Sequence, residues 1–221
     1  MKEFLDGTQY LDKDEPAIAA FARETAEGAR DDAEKAVRLY YAVRDGVRYN
    51  PYALSADPAT YRASFVLAQK EGYCVQKCIL LAAAARAAGV PARVRFATVK
   101  NHLATAHLRE LMRTDLFVFH GLTEFFLGGR WVKATPAFNL SMCEKFGVLP
   151  LEFDGTADSV FHPFDRAGNR HMEYVHDYGP FADFPFEYMM EEYRKYYPHF
   201  FEAGAIEAAR RGDFEREAGG G

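Results

Sequence analysis

The chain has 221 residues, enough for one substantial domain with a core of real size. Hydrophobic residues make up 49% and charged residues 27%, a balance that excludes a disordered or fibrous chain. The net charge of −5, from 27 basic and 32 acidic residues, gives no electrostatic footprint for nucleic acid or for an anionic membrane surface.

Met1 to Gly7 contains no apolar stretch of signal-peptide length, and no run approaches 18 apolar residues. Three cysteines do not suggest a disulfide framework. These features fit a reducing compartment and lead to the expectation of a cytoplasmic protein without membrane or nucleic-acid partners.

Residues 1–15 are polar and read as a peripheral N-terminal segment. From Pro16 to about Ala29, the spacing of Ile18, Phe21, Ala22 and Thr25 predicts an amphipathic helix with Pro16 in its first turn. Asp31, Asp32 and Glu34 open a second helix, where the dipole favours acids, and Gly46 ends it. Val47 to Tyr52 reads as a short extended exit, residues 53–60 as a loop, and Tyr61 to Gln69 as a short helix. A Gly72 turn then leads into a helix over Cys74 to Ala88, closed by Gly89 and Pro91.

Beyond this helix the pattern becomes extended. Ala92 to Val99 alternates, with Val94 and Phe96 on one side and Arg93 and Arg95 on the other. Residues 100–114 read as a connection. Phe117 to Leu127 and Arg130 to Phe138 read as two strands joined by a tight Gly128-Gly129 turn. Phe146 to Phe164 is loop-rich. His171 to Phe186, rich in aromatics and Pro, is expected to pack across the front of the core. Phe186 to Tyr197 predicts a last helix and Ile206 to Glu217 a short charged one, and residues 218–221 read as a disordered end. The order implies an α+β fold with an antiparallel sheet. Its expected parts are a core over 16–140, an aromatic-rich extension over 141–200 and a charged tail over 201–221.

Cys74 begins the central helix. The first N–H groups there lack intrahelical partners and carry the positive end of the dipole, which biases a thiol toward thiolate. The competing reading is a small buried hydrophobe. Cys78, one turn further in, reads as the core thiol and Cys74 as the exposed one. A thiol nucleophile needs a base within hydrogen-bond reach and a group that orients the base. Of seven histidines, His120 stands out because it lies within a strand. If Gly128-Gly129 is a two-residue turn, Glu124 faces Lys133 as an opposite-charge pair and His120 faces Ala137. Thr135 then becomes a diagonal neighbour of the imidazole, an inference that depends on register.

These residues fall into three blocks. They are Gly72-Tyr73-Cys74 with the Ala/Leu helix and Gly89-Val90-Pro91-Ala92-Arg93; His120-Gly121-Leu122-Thr123-Glu124; and Trp131-Val132-Lys133-Ala134-Thr135-Pro136. In order and spacing they resemble the transglutaminase-like superfamily of papain-like thiol enzymes. The resemblance implies a papain-like/transglutaminase-like core, with the central Cys helix packed on the antiparallel sheet. It also implies Cys74 as nucleophile, His120 as base and position 135 as the orienting residue.

That pattern carries an Asp where this chain has Thr135, and often an aromatic where it has Leu122. A Thr hydroxyl can accept the imidazole N–H but supplies no charge for the imidazolium. Three readings stay open: a Cys–His dyad assisted by Thr135, an orienting role for Asn139, or a degenerate site. The activity implied is acyl chemistry on a small-molecule or peptide amide or ester, by hydrolysis or by transfer to an amine, with no cofactor. The backbone N–H of Cys74 would serve the oxyanion. Phe161, Tyr174 and Tyr178 are candidate substrate-binding residues, which would favour an apolar or aromatic acyl group. His162, Asp165 and His171 are ligand-type residues without a compact metal-ligand spacing, and a metal-dependent hydrolase built from such C-terminal His and Asp residues is the lesser alternative.

Overall fold

Helix α4 (Cys74–Ala87) is the axis of the molecule: every residue from Cys74 to Arg86 is buried. A helix that is apolar all round has no solvent face to offer, and elements cover it on every side. Its few polar side chains are therefore satisfied by backbone. Lys77 Nζ donates to the carbonyls of Arg44 (2.9 Å) and Val47 (2.6 Å). Burial pushes the Lys77 ammonium down to about 7. Arg86 donates to the carbonyls of Ala92, Asp6 and Ala182.

The computed structural model describes residues 1–102, 104–161, 164–165, 167–169, 171–202 and 214–217. Helices α1 (Pro16–Ala26), α2 (Asp32–Gly46) and α3 (Ala63–Gln69) pack against α4. α2 starts where expected because the Asp31 carboxylate accepts the Glu34 N–H at 2.8 Å. Strands β1 (Arg48–Tyr49) and β2 (Glu71–Gly72) form a two-residue parallel pair that sets Tyr49 beside the turn before Cys74. Part of the lead-in expected to be peripheral is buried: Tyr10 and Leu11 enter the core, and the Tyr10 carbonyl accepts from Ala63 N–H.

The sheet has the order β5-β4-β3-β6 and is antiparallel throughout. Its strands are β3 (Ala92–Asn101), β4 (Leu116–Leu127), β5 (Arg130–Ala134) and β6 (Met172–Phe181). The fold is thus α+β, with α4 held between helices and sheet. Gly128 and Gly129 have φ of 56° and 83°, the two left-handed positions of a tight hairpin turn. Leu127 pairs with Arg130 and Glu124 with Lys133.

Other expectations are corrected. β5 ends at Ala134 rather than reaching Phe138. Pro136 has no N–H for a ladder, and the Thr135 N–H turns instead to the Ser159 carbonyl at 3.0 Å. His120 and Ala137 therefore do not pair. The Glu124 carboxylate bonds Arg93 and Arg95 of β3, not Lys133, which reaches Asp158. Helix α5 (Ala106–Met112) occupies the expected connection, opened by Thr105 accepting the Leu108 N–H. β6 is the fourth strand of the sheet, where a separate aromatic covering was expected. Pro180 is tolerated there because β6 is an edge strand. Helix α6 (Leu140–Phe146) precedes the loop, and α7 (Phe186–Tyr196) packs on β4. A helical turn covers Phe214–Glu217. The remainder of the tail, with residues 218–221, and His162 and Pro163 lie outside the described residues. Among the described residues, no helix is long and apolar enough to cross a membrane.

Candidate active site

Two elements converge on Cys74. The first turn of α4 carries it, fixed by a capping box in which Gln76 Oε1 accepts the Tyr73 N–H at 3.2 Å. Strand β4 crosses this turn at Gly121, so closely that a Cβ there would lie 2.6 Å from Cys78 Sγ, 2.9 Å from Val75 Cα and 3.1 Å from the Cys74 carbonyl. Only glycine lets the strand meet the helix start, and the residue before it is His120.

Cys74 and His120 line one narrow cavity with Tyr49, Tyr73, Tyr193 and Tyr197. Its volume of about 50 Å³ holds a few waters and is far below what a substrate needs. Larger depressions of about 300 and 430 Å³ flank Tyr174, but neither touches Cys74 or His120. The site is assigned to the small cavity because it joins the two reactive groups.

Cys74 is not the exposed thiol the sequence suggested: only 8% of its surface is accessible, against 0% for Cys78. Burial pushes its thiol up to about 11, although the N–H groups of Gly121 and Val75 favour the thiolate. The helix start therefore helps, but desolvation wins. Burial alone pushes the His120 imidazole down to about 3. Both shifts favour the neutral forms.

The expected bond between His120 and Thr135 is not made. His120 Nε2 and Thr135 Oγ1 are both buried, and neither has a hydrogen-bond partner. Asn139 does not take the orienting place: its Oδ1 accepts the Tyr49 N–H (3.2 Å) and its Nδ2 donates to Ser141 Oγ (2.7 Å). The imidazole is instead held by rings, with Phe161 at 4.8 Å and Tyr174 at 6.4 Å between centroids. Burial pushes the Tyr174 phenol up to about 12, and its hydroxyl accepts the Phe161 N–H at 3.4 Å. Tyr178 stands apart from the cavity. Its hydroxyl bonds Thr98 Oγ1 and Glu192 Oε2, and its ring packs on Phe119.

Sequence reasoning missed Tyr49. It lines the cavity, and burial raises its phenol. Its place three residues after the end of α2 carried no local signal; the β1–β2 pairing brings it to Cys74. Among the described residues, no group of three or more His, Cys, Asp or Glu side chains could hold a metal ion. His162 lies outside those residues.

A family model described as the transglutaminase-like superfamily matches residues 19–136, more than half of the chain. No curated protein matches. Two solved structures resemble this one. A candidate cysteine protease from Cytophaga hutchinsonii is 18% identical with a TM-score of 0.49, and the match covers 81% of this chain and 46% of that one. A candidate protease from Parabacteroides distasonis is 17% identical with a TM-score of 0.41, covering 64% and 26%. This chain spans less than half the length of either.

Proposed function

This chain belongs to the transglutaminase-like superfamily, and from that premise we propose that it performs thiol-dependent acyl chemistry on an amide or ester, with Cys74 as nucleophile and His120 as base. The observation that carries the reading is the cavity lined by Cys74 at the start of α4 and by His120 on β4.

Because burial favours the neutral form of both groups, proton transfer accompanies attack. His120 takes the Cys74 proton as the Cys74 sulfur bonds the carbonyl carbon. The oxyanion is met by the Cys74 N–H and by the Tyr49 hydroxyl. His120 then returns the proton to the departing amine or alcohol, leaving the acyl group on Cys74. Water or an amine, deprotonated by His120, attacks the acyl-enzyme and restores the thiol. Water is the commoner acceptor, since transfer requires an amine to outcompete it. Thr135 contributes bulk beside the ring and no charge. Phe161 and Tyr174 wall the base and suit an apolar or aromatic acyl group. Tyr178 is not retained as a substrate contact.

The 50 Å³ cavity must open to admit a substrate, and the unpaired Nε2 and Oγ1 atoms favour a second reading, a binding module that keeps the fold without the chemistry. A panel of amides, esters and amine acceptors, assayed with Cys74→Ala as control, separates the two. Turnover that vanishes in Cys74→Ala is expected. Turnover that survives, or a panel giving none while ligands still bind, sinks the enzyme reading.

A further inference from the structure

His120 sits just after an irregularity in its strand. Between the pairs Ala97↔His120 and Val99↔Phe117, β3 advances two residues and β4 three. The extra residue forms a bulge, and Phe119 takes a φ of 62°, a left-handed conformation that is costly for a bulky side chain. Bulges re-aim the side chains that follow them. This one decides where the imidazole of His120 points.

The Phe119 ring is held firmly, with Phe96 at 4.9 Å and Tyr178 at 4.6 Å between centroids. The backbone of the bulge needs its own partner. β5 pairs with β4 no further back than Thr123↔Ala134. Before that point, this edge of β4 has no strand beside it among the described residues. One side chain takes the place of the missing strand. The Tyr197 hydroxyl accepts the Val118 N–H at 2.7 Å and donates to the Leu116 carbonyl at 2.7 Å. Tyr197 follows α7, is 1% exposed and also forms part of the cavity wall. With its hydroxyl spent on two backbone groups, it acts through the strand.

We propose that Tyr197 is a positioning residue whose hydroxyl splints the β4 bulge and so fixes the bearing of His120 toward Cys74. Its catalytic meaning rests on the reading of His120 as base. The need for such a splint follows from the unpaired His120 Nε2: among the described residues no side chain bonds that nitrogen. In this chain the backbone must supply the aim that a carboxylate would give, and a hydroxyl from the 141–200 segment makes that backbone rigid.

The test is Tyr197→Phe in the full chain, which keeps the ring and removes the splint. Ile18→Ala, in the α1 core, serves as a destabilised control. Two readouts are taken: the His120 ring signal in carbon–proton spectra of histidine-labelled protein, and the rate of Cys74 alkylation by iodoacetamide at pH 7. In Tyr197→Phe the His120 signal should move or broaden and alkylation should slow about tenfold, as expected for a misaimed base. Ile18→Ala should leave the ring signal in place. An unmoved His120 signal in folded Tyr197→Phe overturns the proposal. If the signal moves but alkylation is insensitive to both Tyr197→Phe and His120→Ala, the splint stands and the base role of His120 fails. Should Tyr197→Phe not fold, 3,5-difluorotyrosine at position 197 keeps the hydroxyl and alters its hydrogen bonds. The same shift of His120 is expected there, and its absence again overturns the proposal.

Discussion

Gly121→Ala tests whether the meeting of β4 and α4 is what sets the site. One methyl would arrive 2.6 Å from Cys78 Sγ, 2.9 Å from Val75 Cα and 3.1 Å from the Cys74 carbonyl. Two of these three atoms are backbone of the first helical turn, so no rotamer change can relieve them. Either the helix start or the strand must retreat. Overpacking of this kind costs about 1–3 kcal/mol. For a chain of this size that corresponds to a fall in Tm of roughly 3–10 °C. The retreat also pulls the Gly121 N–H from Cys74 and separates Cys74 from His120. A shift on the order of 1 Å costs about 100-fold in a reaction that needs both groups. Thermal melting and turnover on whichever ester or amide the panel yields measure the two effects separately. The double variant Gly121→Ala with Cys78→Ala should recover only part of the stability, because it clears one contact of three. A Gly121→Ala protein with unchanged Tm and unchanged turnover would refute the assignment of this crossing as the organising contact.

With Cys74 pushed up to about 11 and His120 down to about 3, the resting thiol should react with iodoacetamide ever faster through the alkaline range, with no plateau between pH 5 and 8. A plateau there would reveal a resting ion pair. The same shifts set stability. His120 binds its proton only when unfolded, so stability present above pH ~6.5 is lost as pH falls toward 3. Cys74 ionises more readily when unfolded, so stability is lost as pH rises from about 9 toward 11. His120→Gln should flatten the acid limb of a Tm-versus-pH curve, and an unaltered limb would contradict the burial argument. Tyr49→Phe should lower turnover roughly 100-fold while leaving Cys74 alkylation unchanged, as loss of an oxyanion donor does; equal loss in both would make Tyr49 a packing residue. Thr135→Asp should raise the His120 pKa by about 1–3 units and speed alkylation at neutral pH, measured by NMR titration and mass spectrometry. A folded variant with an unmoved titration would show that position 135 does not face the ring.

Much of the frame was legible because its signals are local. Asp31 caps α2, the Gly72 turn and Gly89-Val90-Pro91 bracket α4, and Gly128-Gly129 fixes the register of β4 on β5. What escaped depends on distant chain. β6 carries exposed residues along much of its length, as an edge strand does, and so lacks the apolar alternation of a half-buried strand. The end of β5 at Ala134 follows from the Ser159 carbonyl, which competes for the Thr135 N–H from 24 positions away. The spacing could suggest that Cys74 and His120 belong together. It could not say that both would be buried deeply enough to lose their charges, because that depends on Tyr49, Tyr193 and Tyr197 closing around them.

The burial and the substitution at 135 are best understood together. A carboxylate at that position would be a buried charge, tolerable only while paired with an imidazolium. It would hold the ring, raise its pKa and stabilise an ion pair before substrate arrives. Threonine removes that charge, and the enclosing tyrosines and Phe161 then make the neutral thiol and neutral imidazole the stable pair. On the proposed reading, charge appears only as the carbonyl is attacked, where the α4 N-terminus and the Tyr49 hydroxyl would meet it. A site that worked this way would keep an unreactive thiol at rest and depend on alignment rather than on prior ionisation. That dependence makes the strand's aim at Gly121 and at the Phe119 bulge matter more than the identity of residue 135. Pairwise coupling should therefore be larger between Gly121→Ala and His120→Ala than between Thr135→Asp and Gly121→Ala, as a double-mutant cycle on turnover would measure.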